Sequence, residues 1–216
     1  MDRRSFLKNS ALGGTAAAAT GLAAPAFAQG NRTLTMVTSV PDGFAIFDDA
    51  AVKFIDLVNS MSGGELTIEK KAAGQLVGAF EVFDAVSSGQ ADMYHSADYY
   101  FGGSQHPGYY FFTAVPFGAT GGEMISWYQH GGGKELHDEL GQIFGLKSFI
   151  AGNTGHQPGG WFNKEINSAA DLQGLKFRMP GLGGKALGLT GASVQNVPGG
   201  EIYQALASGA IDGAEW

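Results

Sequence analysis

Two stretches of the chain, EVFDAVSSGQAD at positions 81–92 and EIYQALASGAID at 201–212, align without a gap, and they constrain the fold more than any other feature. Glu, Ala, Ser, Gly and Asp are shared, and the Val/Ile, Phe/Tyr and Val/Leu exchanges are conservative. Each copy reads as a short helix, a glycine where the helix stops, and an aspartate entering a strand. Each also follows a strand and a Gly-rich segment, TIEKKAAGQLVGA in one case and SVQNVPGG in the other. A helix–Gly–strand unit is common by itself. The same order met twice predicts two similarly built α/β lobes rather than one continuous sheet. Two lobes imply a cleft between them, where small ligands usually sit.

The other segments fit that plan. TLTMVTS (33–39) is a β-rich run, after which Phe47, Ala50, Phe54, Leu57, Val58 and Met61 recur at helical spacing and Gly63 ends the helix. ELTIEKK alternates as a strand does, Phe80 to Ser88 reads as a short helix, and ADMYHS follows it. GLKSFIAGN is expected to be a strand whose C-terminal end opens into a loop. Ser168 to Asp171 fits a capping box, and LKFRM and ASVQNV read as strands on either side of Gly183–Leu189. Strands alternating with short helices give an α/β class, here a two-lobed arrangement with lobes at 29–151 and 152–216. The 35 glycines are scattered between periodic segments, which indicates many tight loops.

The first 28 residues are read separately. A charged start with Arg3-Arg4, a mildly apolar Ala/Gly/Thr stretch and Ala26-Phe27-Ala28 make a twin-arginine export signal, with cleavage after Ala28 and a periplasmic destination. That stretch is too weakly apolar for a membrane anchor. It holds three of the 13 basic and one of the 20 acidic residues, so without it the formal charge moves from −7 to about −9. Such a balance argues against nucleic acid or an anionic membrane as partner. With no cysteine there are neither disulfides nor thiolate chemistry.

Arg178 is the leading binding candidate. Pro180 stops its strand, which places the guanidinium at a strand end beside a Gly-rich loop, the usual ligand edge of an α/β sheet. A planar guanidinium matches a carboxylate through two parallel hydrogen bonds; a surface ion pair is the competing reading. GNTGHQPGGWF (152–162) gathers Asn153, Thr154, His156 and Gln157, whose amide oxygens suit hard cations such as Na+ or Ca2+. Trp161 in that loop is expected to be shielded from water. The repeat puts Glu215, followed by Trp216, where His95 falls in the first copy. In the aromatic run at 97–112, Phe111 and Phe112 are expected in the core, while Tyr99, Tyr100, Tyr109 and Tyr110 carry hydroxyls that need partners and suit a pocket wall. GLGGKA (181–186) satisfies a dinucleotide pattern, with Glu201 at the distance of a ribose-binding acid, but the strand before it is charged and the match is read as coincidence. The five histidines show no metal-ligand spacing, and no G-x-S-x-G elbow occurs.

Taken together, DLQGLKFRMPGLGG and VPGGEIYQALASGAIDGAEW behind an export signal resemble the DctP-type solute receptors of TRAP (tripartite ATP-independent periplasmic) transporters. GNTGHQPGGWF and PGGEIY are similar to the branch that binds 2-oxo acids or lactate with a cation. The resemblance implies a two-lobed periplasmic binding-protein fold. It also implies Arg178 on the substrate carboxylate, a Na+ or Ca2+ held by Gln157, Glu215 and the Trp216 carbonyl, and pocket contacts from Tyr99, Tyr100 and Asn153. Family members continue past the Glu-Trp pair, so the chain is expected to be a C-terminally truncated copy. The expectation is a receptor, not an enzyme, that takes up a small 2-oxo or 2-hydroxy monocarboxylate without a nucleotide cofactor and delivers it to TRAP permease subunits, with a homodimer left open. A periplasmic NAD(P)-dependent oxidoreductase and a ligand-sensing module are the alternatives.

Overall fold

The computed structural model describes residues 30–216, so the expected export signal at 1–28 lies outside the described residues. The first sheet has three parallel strands: β1 (Arg32–Thr38), β2 (Leu66–Lys71) and β3 (Met93–His95), in the order β2-β1-β3. Helix α1 (Phe47–Met61) joins β1 to β2. Its apolar stripe puts Ala51 and Ile55 against Met36 and Ile68 on one sheet face. It ends where Gly63 and Gly64 take positive φ, which a side chain would resist. Helix α2 (Val82–Ser87) leads to β3, and its Val82 and Phe83 pack with Val37, Phe101, Tyr109 and Leu140 on the other face. A 3₁₀ turn at Asp98–Tyr100, a second at Pro107–Phe112, and helices α3 (Gly121–His130) and α4 (Gly133–Gln142) close that side.

The second sheet comprises β4 (Trp161–Phe162), β5 (Lys176–Arg178), β6 (Ser193–Gln195) and β7 (Gly213–Ala214), in the order β4-β7-β5-β6. β5 runs parallel to both β6 and β7, and β4 is antiparallel to β7. Helix α5 (Gly181–Gly188) connects β5 to β6, and α6 (Ile202–Ala207) precedes β7. Its three parallel strands therefore repeat the first sheet: β5 corresponds to β1, β6 to β2 and β7 to β3. The match extends to single hydrogen bonds. Asp92 N–H donates to the Thr35 carbonyl, and its carboxylate accepts from Thr35 N–H at 2.7 Å. Asp212 N–H donates to the Lys176 carbonyl, and its carboxylate accepts from Lys176 N–H at 2.9 Å. In both copies a glycine with positive φ, Gly89 or Gly209, turns the chain from helix to this aspartate. The shared Gly and Asp of the sequence repeat are the residues that fasten each third strand to its central one.

A hydrogen bond to a charged group is worth roughly 1.5–3 kcal/mol, less where water competes. Asp212→Ala, at the part-buried site, is expected to cost more stability than Asp92→Ala at the exposed one. Denaturant midpoints measured at unchanged m-value check that order.

Four expectations fail here. GLKSFIAGN forms no strand: no neighbouring strand pairs with it, and Phe149 is 72% exposed. An alternating apolar run becomes a strand only when an edge is there to receive its backbone groups. The Gly-rich segment after Pro180 is the helix α5, not an open loop. Its glycines serve packing, since a Cβ on Gly184 would lie 2.0 Å from the Met179 carbonyl oxygen and one on Gly183 3.0 Å from the Met179 methyl. Close apposition of helix to strand thus explains GLGGKA without a nucleotide. Phe111, expected in the core, is 70% exposed, whereas Phe112 stacks on His137; Trp161, expected to be shielded, is 66% exposed.

Candidate functional site

Arg178 ends β5 at the carboxyl edge of the parallel strands, and it is 0% exposed. An isolated buried guanidinium would be prohibitively costly, so its donors must be met. Nη1 donates to the Glu215 backbone carbonyl at 2.8 Å and to Glu215 Oε2 at 2.9 Å. Nε donates to the Val197 carbonyl at 3.1 Å, and Nη2 to the Tyr100 hydroxyl at 3.3 Å. The Trp216 ring covers the flat face of the guanidinium, 4.8 Å from Cζ. Four of the five N–H groups are therefore engaged, and one on Nη2 remains. The open bidentate grip expected from sequence is not what the structure presents: Arg178 is sealed from solvent, and a single N–H on Nη2 is left without a protein partner.

Glu215 follows β7 and is held by its own backbone N–H, which donates to the Arg178 carbonyl at 3.0 Å. The carboxylate is buried; burial pushes its pKa up, against the pull of Arg178. Oε1 has no part in the ion pair. Trp216 packs edge-on to Phe44 (5.0 Å), just before α1, and tilted against Phe47 (5.9 Å), its first residue. A Cβ on Gly199 would lie 2.6 Å from the Trp216 ring, which accounts for the first glycine of VPGG.

Two cavities flank this corner. One of about 130 Å³ is lined by Ile46, Phe47, Thr154, His156, Gln157 and Trp216. Gln157 is half-buried there, its Nε2 donating to Thr154 Oγ1 at 3.2 Å, so that Oε1 is left for a ligand. Ile46 holds φ 70°, an outlier for a β-branched residue, and such strain collects at binding sites. The other cavity, about 430 Å³, is lined by Tyr99, Tyr100, Tyr110, Met179, Lys185 and Asn196 among others. Burial keeps Tyr99 and Tyr100 in the neutral hydroxyl form by pushing their pKa values up.

The structure thus brings Arg178, Glu215, Trp216 and Tyr100 into one contact network, and places Gln157 with Trp216 on one cavity wall. Tyr99 joins through Tyr100, their rings 4.6 Å apart. Asn153 does not join: it is exposed, its Oδ1 accepts from Gly155 N–H at 2.8 Å, and it lies against Gly121 at the start of α3. Tyr109 is buried in the core with its hydroxyl unpaired, rather than facing either cavity. Sequence reasoning missed the Val197 carbonyl, Ile46 and Phe47; only Phe47 gave a signal, and it read as a core position of α1. His95 sits where the repeat places the counterpart of Glu215, with Nδ1 buried and unpaired.

Among the described residues no three His, Asp or Glu side chains converge, so a cation here would rely on one carboxylate and neutral oxygens. Carboxylate, amide and carbonyl oxygens are the donor types a hard ion such as Na+ or Ca2+ prefers, and of the expected donors Gln157 and Trp216 share the smaller cavity wall while Glu215 reaches this corner through its ion pair with Arg178.

Known proteins carry the same architecture. The chain is 44% identical over 181 residues to the monocarboxylate 2-oxoacid-binding periplasmic protein of Nostoc sp. (strain PCC 7120), covering 84% of this chain and 49% of that protein. The crystal structure of a TRAP periplasmic solute binding protein from Pseudoalteromonas atlantica T6c, with bound sodium and pyruvate, superposes with a TM-score of 0.82 at 44% identity, covering 86% of this chain and 56% of that one. That from Colwellia psychrerythraea, with bound calcium and pyruvate, gives 0.81 at 43%, with the same coverage. The chain therefore spans about half the length of these relatives. The family model described as bacterial extracellular solute-binding protein, family 7 (DctP) matches residues 36–216, and the chain belongs to that family.

Proposed function

We propose that the chain forms the solute-binding part of a periplasmic receptor for a small 2-oxo or 2-hydroxy monocarboxylate such as pyruvate or lactate, captured with Na+ or Ca2+. On this reading it is a receptor and not an enzyme, exported by the signal at 1–28 and cut after Ala28. The two sheets serve as lobes, 29–151 and 152–216, which close by hinge motion over the solute before it passes to TRAP permease subunits. The single observation that carries the reading is Arg178, a cation sealed at the carboxyl edge of β5 with one N–H unspent, paired with Glu215 and covered by Trp216, which shares a cavity wall with Gln157. Relatives that bind pyruvate with sodium or calcium support the choice of solute and ion.

The contacts divide between solute and ion. Arg178 offers its free N–H to one carboxylate oxygen, and the Tyr100 hydroxyl, held on Arg178 Nη2, donates its own proton to the second. Gln157, Glu215 and the Trp216 carbonyl hold the cation, which supplies positive charge at the solute's other oxygens. Charge balances: Arg178 and a monovalent ion offset Glu215 and the solute. The aromatic walls exclude water, which strengthens every one of these contacts.

A thermal-melt screen of small carboxylates tests this. At 100-fold its Kd a solute stabilises the folded state by about 2.7 kcal/mol, so pyruvate or lactate is expected to raise the melting temperature when Na+ or Ca2+ is present. A melt unmoved by every acid overturns the reading.

A further inference from the structure

Behind the tyrosines lies a buried polar chain that the binding site does not use. Asp98 opens the 3₁₀ turn that presents Tyr99 and Tyr100, and its Oδ2 is 3.2 Å from Nε2 of His137 in α4. His137 is buried, and its Nδ1 is 3.3 Å from the hydroxyl of Tyr128 in α3. Phe112 lies flat on the imidazole, ring centroids 4.0 Å apart and planes within 11°. With Tyr128 O–H donating to Nδ1 the proton sits on Nε2, which faces the Asp98 carboxylate at 3.2 Å without meeting hydrogen-bond geometry. Burial pushes the Asp98 pKa up while His137 pulls it back, so the carboxylate depends on this partner.

The turn is held at its far end by Phe101 in the core and by Tyr100 packed on Phe80, and Asp98 ties its start to α4. The turn is three residues long, and its two tyrosines reach in one direction: Tyr100 to Arg178 Nη2 at 3.3 Å, and Tyr99 against Gly181 at the start of α5. A hydrogen bond at 3.3 Å lies near the limit of the useful range, so a small shift of the turn breaks it. We infer that Asp98 and His137 are positioning residues of the solute site, anchoring the Asp98–Tyr100 turn to α4 so that the Tyr100 hydroxyl stays in register with Arg178. Neither touches the solute or the cation. The inference rests on the receptor reading and names what holds that site's tyrosine wall.

The test separates solute from cation. Pyruvate affinity in the presence of Ca2+, and Ca2+ affinity alone, are measured for the full chain and its variants. Asp98→Ala is expected to weaken pyruvate by about tenfold, the loss of one contact to a charged group acting through the turn, and to leave Ca2+ binding as in wild type. Asp98→Asn keeps an acceptor for Nε2–H and is expected to restore most of the affinity. His137→Phe, which preserves the stack on Phe112, reads the same loss from the other side should Asp98→Ala not fold. Tyr100→Phe added to Asp98→Ala is expected to cost less than Tyr100→Phe alone, because the hydroxyl is already misplaced. Pyruvate and Ca2+ affinity falling together, or Asp98→Ala binding pyruvate as wild type does, overturns the positioning role. A wild-type protein that binds no pyruvate overturns instead the receptor reading beneath it.

Discussion

Arg178→Ala is expected to lose stability as well as solute, by about 3–5 kcal/mol, the usual cost of removing one partner of a buried ion pair. The substitution leaves the Glu215 carboxylate buried without its cation, frees the Val197 carbonyl of its donor and opens a space beneath Trp216. The pH dependence has a definite sign. Burial already raises the Glu215 pKa, and removing Arg178 removes the opposing pull. A carboxyl whose folded-state pKa stands above its unfolded value makes stability fall as pH rises from the unfolded pKa through the folded one. The deficit of Arg178→Ala relative to wild type is therefore expected to widen as pH rises from the ordinary glutamate range, about 4.3, through the folded-state pKa of the variant. Arg178→Ala combined with Glu215→Gln should recover part of it, since the stranded charge is gone. Chemical denaturation across that pH window measures all three proteins; an Arg178→Ala chain as stable as wild type at neutral pH contradicts the buried pair.

Glu215→Gln is expected to weaken cation binding by about 10- to 150-fold, which is the conversion of one charge-assisted contact at roughly 1.5–3 kcal/mol. The carboxylate is the only formal negative charge in the proposed donor set, while Gln157 and the Trp216 carbonyl are neutral. Because protons compete with the cation for Glu215, wild-type cation affinity is expected to fall on acidification. The raised pKa starts that fall at a higher pH than an ordinary glutamate would. Direct titration with Ca2+ from neutral pH down to about pH 5, toward the carboxylate range, checks both statements. A Glu215→Gln protein with unchanged Ca2+ affinity and pH profile removes this residue from the cation site.

Much of this was legible in the amino-acid order alone. The repeat carried the sheet topology, because the residues it shares act on the backbone. Gly89 and Gly209 turn the chain, and Asp92 and Asp212 fasten strands. Helix α1 was clear from its helical spacing and its glycine stop, but the stripe read for it was not the buried one: Phe54, Leu57 and Met61 are exposed, and Ala51 and Ile55 face the sheet. What failed did so for physical reasons. GLKSFIAGN has a strand's alternation, but alternation records which face is apolar and says nothing of whether a partner edge exists. GLGGKA read as a loop because glycine is a poor helix former, yet contact with Met179 outweighs that propensity. At the site, Arg178 and Glu215 were found as residue types with charge and position. The saturation of Arg178 by Val197, Glu215 and Tyr100 was not, since two of those acceptors are backbone carbonyls that leave no mark on sequence. Asn153 was named for its amide in a loop, and the fold spends that amide on its own turn.

Joint binding of a small carboxylate and an inorganic cation at the Arg178–Glu215 corner is the point on which the proposed function turns. Calorimetric titration of pyruvate into the full chain, once with Na+ or Ca2+ and once with choline and a chelator at equal ionic strength, tests it most directly. The expected result is one pyruvate bound per chain with the cation, and an affinity at least about tenfold weaker without it. Equal affinity in both buffers, or no heat of binding in either, contradicts it.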